Sequence, residues 1–138
     1  MSEEDLMRRT ERGPSGRARN QVDRIMLPCD LLSPRVARRF VTSTLRGHHP
    51  DLLIDAAELL VSEMVTRVVV LGCQSLSVKI DDADKVALTI TYALTDHSNA
   101  HRLPGPVAPR LSRRVTRIDL DARTICHEFV LDDESASA

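Results

Sequence analysis

At Gly72 the apolar pattern of the chain changes period. Upstream, from Pro50 to Leu71, the spacing is helical: Leu53, Ala56, Ala57, Leu60, Met64, Val68 and Leu71 share one side of a helical wheel, and Asp51, Asp55, Glu58, Ser62 and Thr66 share another. Downstream the period is two. Leu76, Val78 and Ile80 alternate with Ser77, Lys79 and Asp81, and after the turn residues DDAD at 81–84 the alternation resumes with Val86, Leu88, Ile90, Tyr92 and Leu94. A long helix closed by a glycine and followed at once by an antiparallel hairpin must bury one stripe of the helix against one face of the strands.

The remaining segments fit that frame. In LSPRVARRFVTSTLRG, Ser33 is expected to cap a helix, Pro34 suits its first position and Gly47 its C-terminal cap. Val36, Ala37, Phe40, Val41 and Leu45 form the apolar stripe of this helix, and Arg35, Arg38, Arg39 and Arg46 lie away from it. Those arginines are either a solvated face or a contact surface for an acidic partner or for phosphates. Ile25, Met26 and Leu27 are expected to form a short edge strand ended by Pro28. RVTRIDLD at 114–121 and RTICHEFVL at 123–131 read as a final hairpin, and the proline-bearing stretch 95–114 as a long loop. The expected fold is α+β, a two-layer sandwich with two helices on one face of a mostly antiparallel sheet. Residues 1–22, polar and broken by GPSG, are expected to be a disordered tail; 23–131 form one domain; 132–138 form a disordered acidic tail.

Composition narrows the function classes. With 138 residues and a net charge of -1, the chain is one domain's worth with no overall field toward nucleic acid or membrane. Aromatics make up 2% of residues and Trp is absent, which weighs against a base-stacking surface. The abundance of arginine over lysine fits a high-GC bacterial genome. Three cysteines without CxxC spacing (Cys29, Cys73 and Cys126) are expected to be free, mostly buried thiols of a reducing cytosol, and neither a disulfide framework nor a zinc site. MSEEDLMRRTERG has no apolar core for a signal peptide and no stretch is long enough for a membrane span, so the chain is expected to be cytoplasmic.

Within SEMVTRVVVLG, at 62–72, stand an acid and an arginine four residues apart, Glu63 and Arg67. The wheel puts both within the apolar arc, toward Ala56 and Leu60, where an unpaired carboxylate would be costly. Glu at i with Arg at i+4 is a favourable helical ion pair, so Arg67 can simply neutralise Glu63 at the sheet edge. The other reading is that this face borders a ligand cleft.

DAAELLVSEMVTRVVVLG followed by an alternating hairpin resembles the first conserved box of the GHKL ATPase superfamily. It is most similar to the short bacterial anti-sigma-factor serine kinases and their single-domain ATP-binding relatives. Their order of an LP start, an arginine-bearing first helix and a second helix of the type SE-hydrophobic-VTNA is similar to LPCDLLSPRVARRF and then SEMVTR here. ARTICHEFVL resembles their closing GKTVWFEL-type strand. The likeness spans about 25–131 and implies a reduced Bergerat-like ATPase fold. It also implies a glutamate that positions or activates the attacking group in phosphoryl transfer, carried here by Glu63. The asparagine that helps to hold Mg²⁺ in that family is replaced by Arg67, which offers no oxygen and repels a metal while still attracting phosphate. The family's glycine boxes, DxGxG and GxGxG, are missing: after Gly72 the one glycine is Gly105, between Pro104 and Pro106, and Pro109 follows. Asp96 is the vestige of the adenine-contacting aspartate that the resemblance implies, followed by HSNAHRLP instead of glycines.

Three requirements of the chemistry fail together. The resemblance therefore implies a catalytically degenerate domain, with no cofactor (weak ATP binding stays open), that regulates transcription by binding protein. Its partner would be a sigma factor or an anti-sigma antagonist, and a homodimer is among the states it allows. Two other classes stay open: an active ATP-dependent protein serine kinase with a divergent site, and a nucleic-acid-binding module using the arginine-rich helix. No metal site is expected. His97 and His101 sit in the proline-bounded loop, His48 and His49 in a helix connector, and His127 beside Cys126 on the opposite sheet face, which rules out a Cys–His dyad. Ser62 has no nucleophile-elbow context.

Overall fold

The computed structural model describes residues 21–96, 113–119 and 124–131, with the backbone alone for 113–119. The order is β1 (Gln21–Met26), α1 (Ser33–Leu45), α2 (Asp51–Leu71), β2 (Cys73–Asp82), β3 (Val86–Leu94), β4 (Arg113–Asp119) and β5 (Thr124–Leu131). The strands form one five-stranded sheet in the order β1-β2-β3-β5-β4, with every neighbouring pair antiparallel. The α+β class expected from the change of period is the class observed.

Register puts the alternating residues on one face. Ile25 lies opposite Val78, Val78 opposite Ile90, and Ile90 opposite His127. Leu76, Val78, Ile80, Leu88, Ile90, Tyr92, Ile125 and Phe129 are all buried. α1 lies over β1 and β2, and α2 over β3. The helical stripes meet them with Ala37, Phe40, Val41 and Leu45 from α1 and Leu53, Ala57, Leu60, Val61, Met64, Val65 and Val68 from α2. All three aromatic side chains of the chain, Phe40, Tyr92 and Phe129, are spent in this core.

α2 ends as its glycine requires. Gly72 has φ +94, a conformation that side chains with a Cβ rarely adopt, and its N–H bonds back to the Val68 and Val69 carbonyls. The start of α1 differs from expectation. The Ser33 hydroxyl donates to the Pro28 carbonyl instead of capping the helix, and the turn before α1 is closed by Asp30, whose Oδ1 accepts the Leu32 N–H at 2.9 Å. The first strand also begins earlier than expected, at Gln21, so the expected boundary of the tail at 22 falls inside β1.

The cysteine expectation is corrected. Cys29 and Cys73 form a disulfide, with Cα atoms 5.8 Å apart, and Cys126 is free and partly buried. Their separation of 44 residues carries no local signature. It is the fold that brings them together: the Leu27 N–H donates to the Leu76 carbonyl at 2.9 Å, which lays the exit of β1 beside the entry of β2. The bond removes the thiol-based case for a reducing compartment.

His49, expected to be a mere connector, ties the α1–α2 junction to the sheet. Its Nε2 lies 3.0 Å from both carboxylate oxygens of Asp82, which is 2% exposed. His49→Ala should cost about 1–3 kcal/mol, because a buried carboxylate loses a polar partner. Urea unfolding of the variant checks this, and a loss below about 0.5 kcal/mol would place the pair among contacts of no consequence.

Candidate functional site

The candidate site is built on the exposed side of α2. Glu63 and Arg67 do not lie in the buried arc that the wheel suggested: their side chains are 41% and 45% exposed. The reason is the breadth of the buried arc. Ile54, Val61 and Val65 extend it toward α1, which rotates its centre away from Ala56. Arg67 Nη1 stands 3.5 Å from Glu63 Oε2, the i, i+4 ion pair allowed by the spacing. The pair lies on the flank of α2 away from α1, since α1 meets α2 along its Glu58–Ser62 edge. There Arg38 Nη1 donates to Ser62 Oγ at 2.8 Å and the Thr42 hydroxyl to the Glu58 carboxylate.

Such a pair does little for folding. Double replacement of Glu63 and Arg67 by alanine should change the unfolding free energy by less than about 0.5 kcal/mol, the range of exposed i, i+4 pairs. Guanidinium unfolding measures it; a loss above about 1.5 kcal/mol would make the pair structural. The chemistry on offer at this flank is a carboxylate already facing a cation. A guanidinium has donors only, so the pair recognises an anion or a planar polar group far better than a metal ion.

Asp96 comes to the same end of the domain. The Thr95 N–H donates to the Gly72 carbonyl at 3.0 Å, so the exposed Asp96 stands beside the C-terminal end of α2, little more than a turn beyond Arg67. His97, His101, Gly105 and the three prolines of that loop lie outside the described residues. Among the described residues no group of three His, Cys, Asp or Glu side chains is placed to hold a metal ion.

The arginines of α1 form a second region. Arg35, Arg38, Arg39 and Arg46 are all exposed, and the helix itself contains no acid. Arg35 sits in the first turn, where the helix dipole disfavours a cation by about 0.3–1 kcal/mol. Arg38 and Arg39 stand at mid-helix and Arg46 at the C-cap, so Arg35 alone is opposed by the dipole.

Sequence reasoning missed one buried polar pair. Tyr92 Oη lies 2.9 Å from His127 Nε2, both side chains fully buried on the helix-facing side of the sheet, with His127 stacked between Tyr92 and Phe129. The strand alternation does signal it, since His127 falls in phase with Ile125 and Phe129. Cys126 points to the other face, where the Thr91 hydroxyl lies 3.6 Å from its sulfur, so no Cys–His dyad forms.

No protein-family model matches the chain, and no curated protein matches it. Among the described residues, no helix is long and apolar enough to cross a membrane.

Proposed function

We propose that the chain is a catalytically degenerate relative of the bacterial GHKL-type anti-sigma-factor kinases that acts as a protein-binding regulator of transcription. The observation that carries this is the Arg67–Glu63 ion pair at 3.5 Å. In the resembling family these two positions hold the phosphoryl-transfer glutamate and a Mg²⁺-binding asparagine. Here the carboxylate faces a fixed positive charge, so a divalent cation meets repulsion where it needs an oxygen ligand. Support for the fold part comes from two helices over one side of an antiparallel sheet, the layers a reduced Bergerat-like sandwich requires.

The partner surface is α1, through Arg35, Arg38, Arg39 and Arg46. A partner of acidic character, either a sigma factor or an anti-sigma antagonist, fits three exposed arginines on the acid-free α1 and a fourth, Arg46, at its C-cap. Nucleic acid fits less well, because every aromatic ring is buried and none can stack on a base. The test is a pairwise binding assay of the full chain against the sigma factors and antagonists of the same organism. A complex that weakens as salt rises and fails with Arg35→Glu/Arg39→Glu supports the proposal; binding to all of them unaffected by that charge reversal contradicts it.

A further inference from the structure

Exposed apolar side chains are not spread evenly over this domain. Among the described residues the three most exposed large ones, Leu31 at 81%, Val70 at 73% and Leu32 at 64%, are all at the end where the Cys29–Cys73 bond lies. Leu31 and Leu32 belong to a built turn. It is rooted by the disulfide at Cys29, closed by Asp30 Oδ1 on the Leu32 N–H, and held at its far side by the Ser33 hydroxyl on the Pro28 carbonyl. Ordering a turn with two leucines in water gains nothing for the fold, since neither joins the core. Arg35 follows in the first turn of α1, where the dipole opposes a cation, and Arg39 one turn later on the exposed side, while Arg38 is turned to Ser62 of α2. Two exposed leucines and two exposed arginines, Arg35 and Arg39, therefore coincide at one place, and the leucines make no core contact that would explain them.

We infer that Leu31 and Leu32, with Arg35 and Arg39, form a docking knuckle for an acidic amphipathic helix of another protein. The leucines supply the apolar anchor and the guanidinium groups read the acidic flank. Asp30, the acid of that turn, has its Oδ1 engaged by the Leu32 N–H, and its single charge is outnumbered by those of Arg35 and Arg39. A membrane surface is the poorer occupant. The apolar stripe of α1 (Ala37, Phe40, Val41 and Leu45) is wholly buried, which leaves only the two leucines to insert. This inference rests on the proposed role of α1 as a partner surface and adds its anchor and the chemistry of what it binds.

The experiment uses the full oxidised chain and three fluorescent peptides of about 18 residues, five helical turns. One carries Leu on one face and Glu on the other, one Leu and Lys, one Ser and Glu. Vesicles of phosphatidylglycerol form a fourth arm. The Leu/Glu peptide should bind at least about tenfold more tightly than the others, in anisotropy, and should weaken as salt rises. Leu31→Ser/Leu32→Ser should weaken it by about tenfold or more with the salt dependence unchanged, and Arg35→Ala/Arg39→Ala should weaken it and flatten the salt dependence. All four substitutions lie at exposed positions, and circular dichroism confirms that the variants remain folded. Absence of Leu/Glu binding, equal binding of the Leu/Lys peptide, or tighter Leu31-dependent binding to the vesicles overturns the inference. If the leucine variant binds like the wild type while the arginine variant is weakened, the knuckle fails and α1 as a partner surface survives. If the arginine variant alone is unaffected, the proposed function of α1 fails with it.

Discussion

Replacing Cys29 and Cys73 together by serine should lower the unfolding free energy by about 4 kcal/mol. The estimate follows from the loop the bond closes, 44 residues in sequence separation, through the chain-entropy scaling of cross-link stabilisation. That loop contains both helices entire, Ser33–Leu45 and Asp51–Leu71, so the bond brackets the whole helical layer at its two ends. Without it the unfolded chain regains the freedom to separate the exit of β1 from the entry of β2. The native contacts at that seam, chiefly Leu27 N–H to the Leu76 carbonyl, remain but must be closed at full entropic cost. Urea unfolding of the oxidised protein, the same protein in dithiothreitol and the double-serine variant measures it. The two disulfide-free conditions should agree within about 0.5 kcal/mol and both fall well below the oxidised form. A loss under about 1 kcal/mol would mean that the linkage adds little to the packing already present.

The second large effect belongs to Phe40. It is the one aromatic side chain of the helical layer and is fully buried in a core whose other aromatics, Tyr92 and Phe129, come from the sheet. Phe40→Ala should cost about 3–5 kcal/mol, the sum of lost transfer energy and of a cavity that smaller neighbours cannot refill. Phe40→Leu should keep most of the volume and cost less than about 1.5–2 kcal/mol. Thermal and urea unfolding of the pair would show the gradient. Equal losses for the two variants would mean that ring shape, and not filled volume, is what the interface of α1 with the sheet requires. Beside these figures the small cost expected for removing Glu63 and Arg67 is informative: the fold does not need that pair.

Much of the architecture was legible because the apolar periods are long and unmixed. The 21-residue helix ended at the glycine the sequence marked, and the hairpin turned where DDAD interrupts the alternation. Strand order was not legible. β5 sits between β3 and β4, and no local signal in RTICHEFVL says which neighbour it takes. The disulfide was hidden for the same reason, since contact between residues 29 and 73 exists only after β1 and β2 have paired. His49 was unreadable because its partner Asp82 lies 33 residues away across the sheet end.

At the candidate site the residue types were legible and their placement was not. A wheel centred on the strongest apolar residues drew Glu63 and Arg67 inward. The real buried arc is broader and turned toward α1, because a helix with two neighbours buries two adjoining stripes. The arginines of α1 were visible as a cluster, but nothing in the residue pattern attached Leu31 and Leu32 to them. The fold attaches them, because a closed turn holds both leucines out of the core beside the start of α1.

The central claim is that Arg67 beside Glu63 excludes a metal-bound triphosphate from this flank of α2. Calorimetric titration of the full chain with ATP and Mg²⁺, up to millimolar nucleotide, tests it most directly. The account expects no saturable Mg²⁺-dependent binding and no stabilisation against heat by the same additions. One-to-one binding that requires Mg²⁺ and disappears in Glu63→Ala would contradict it.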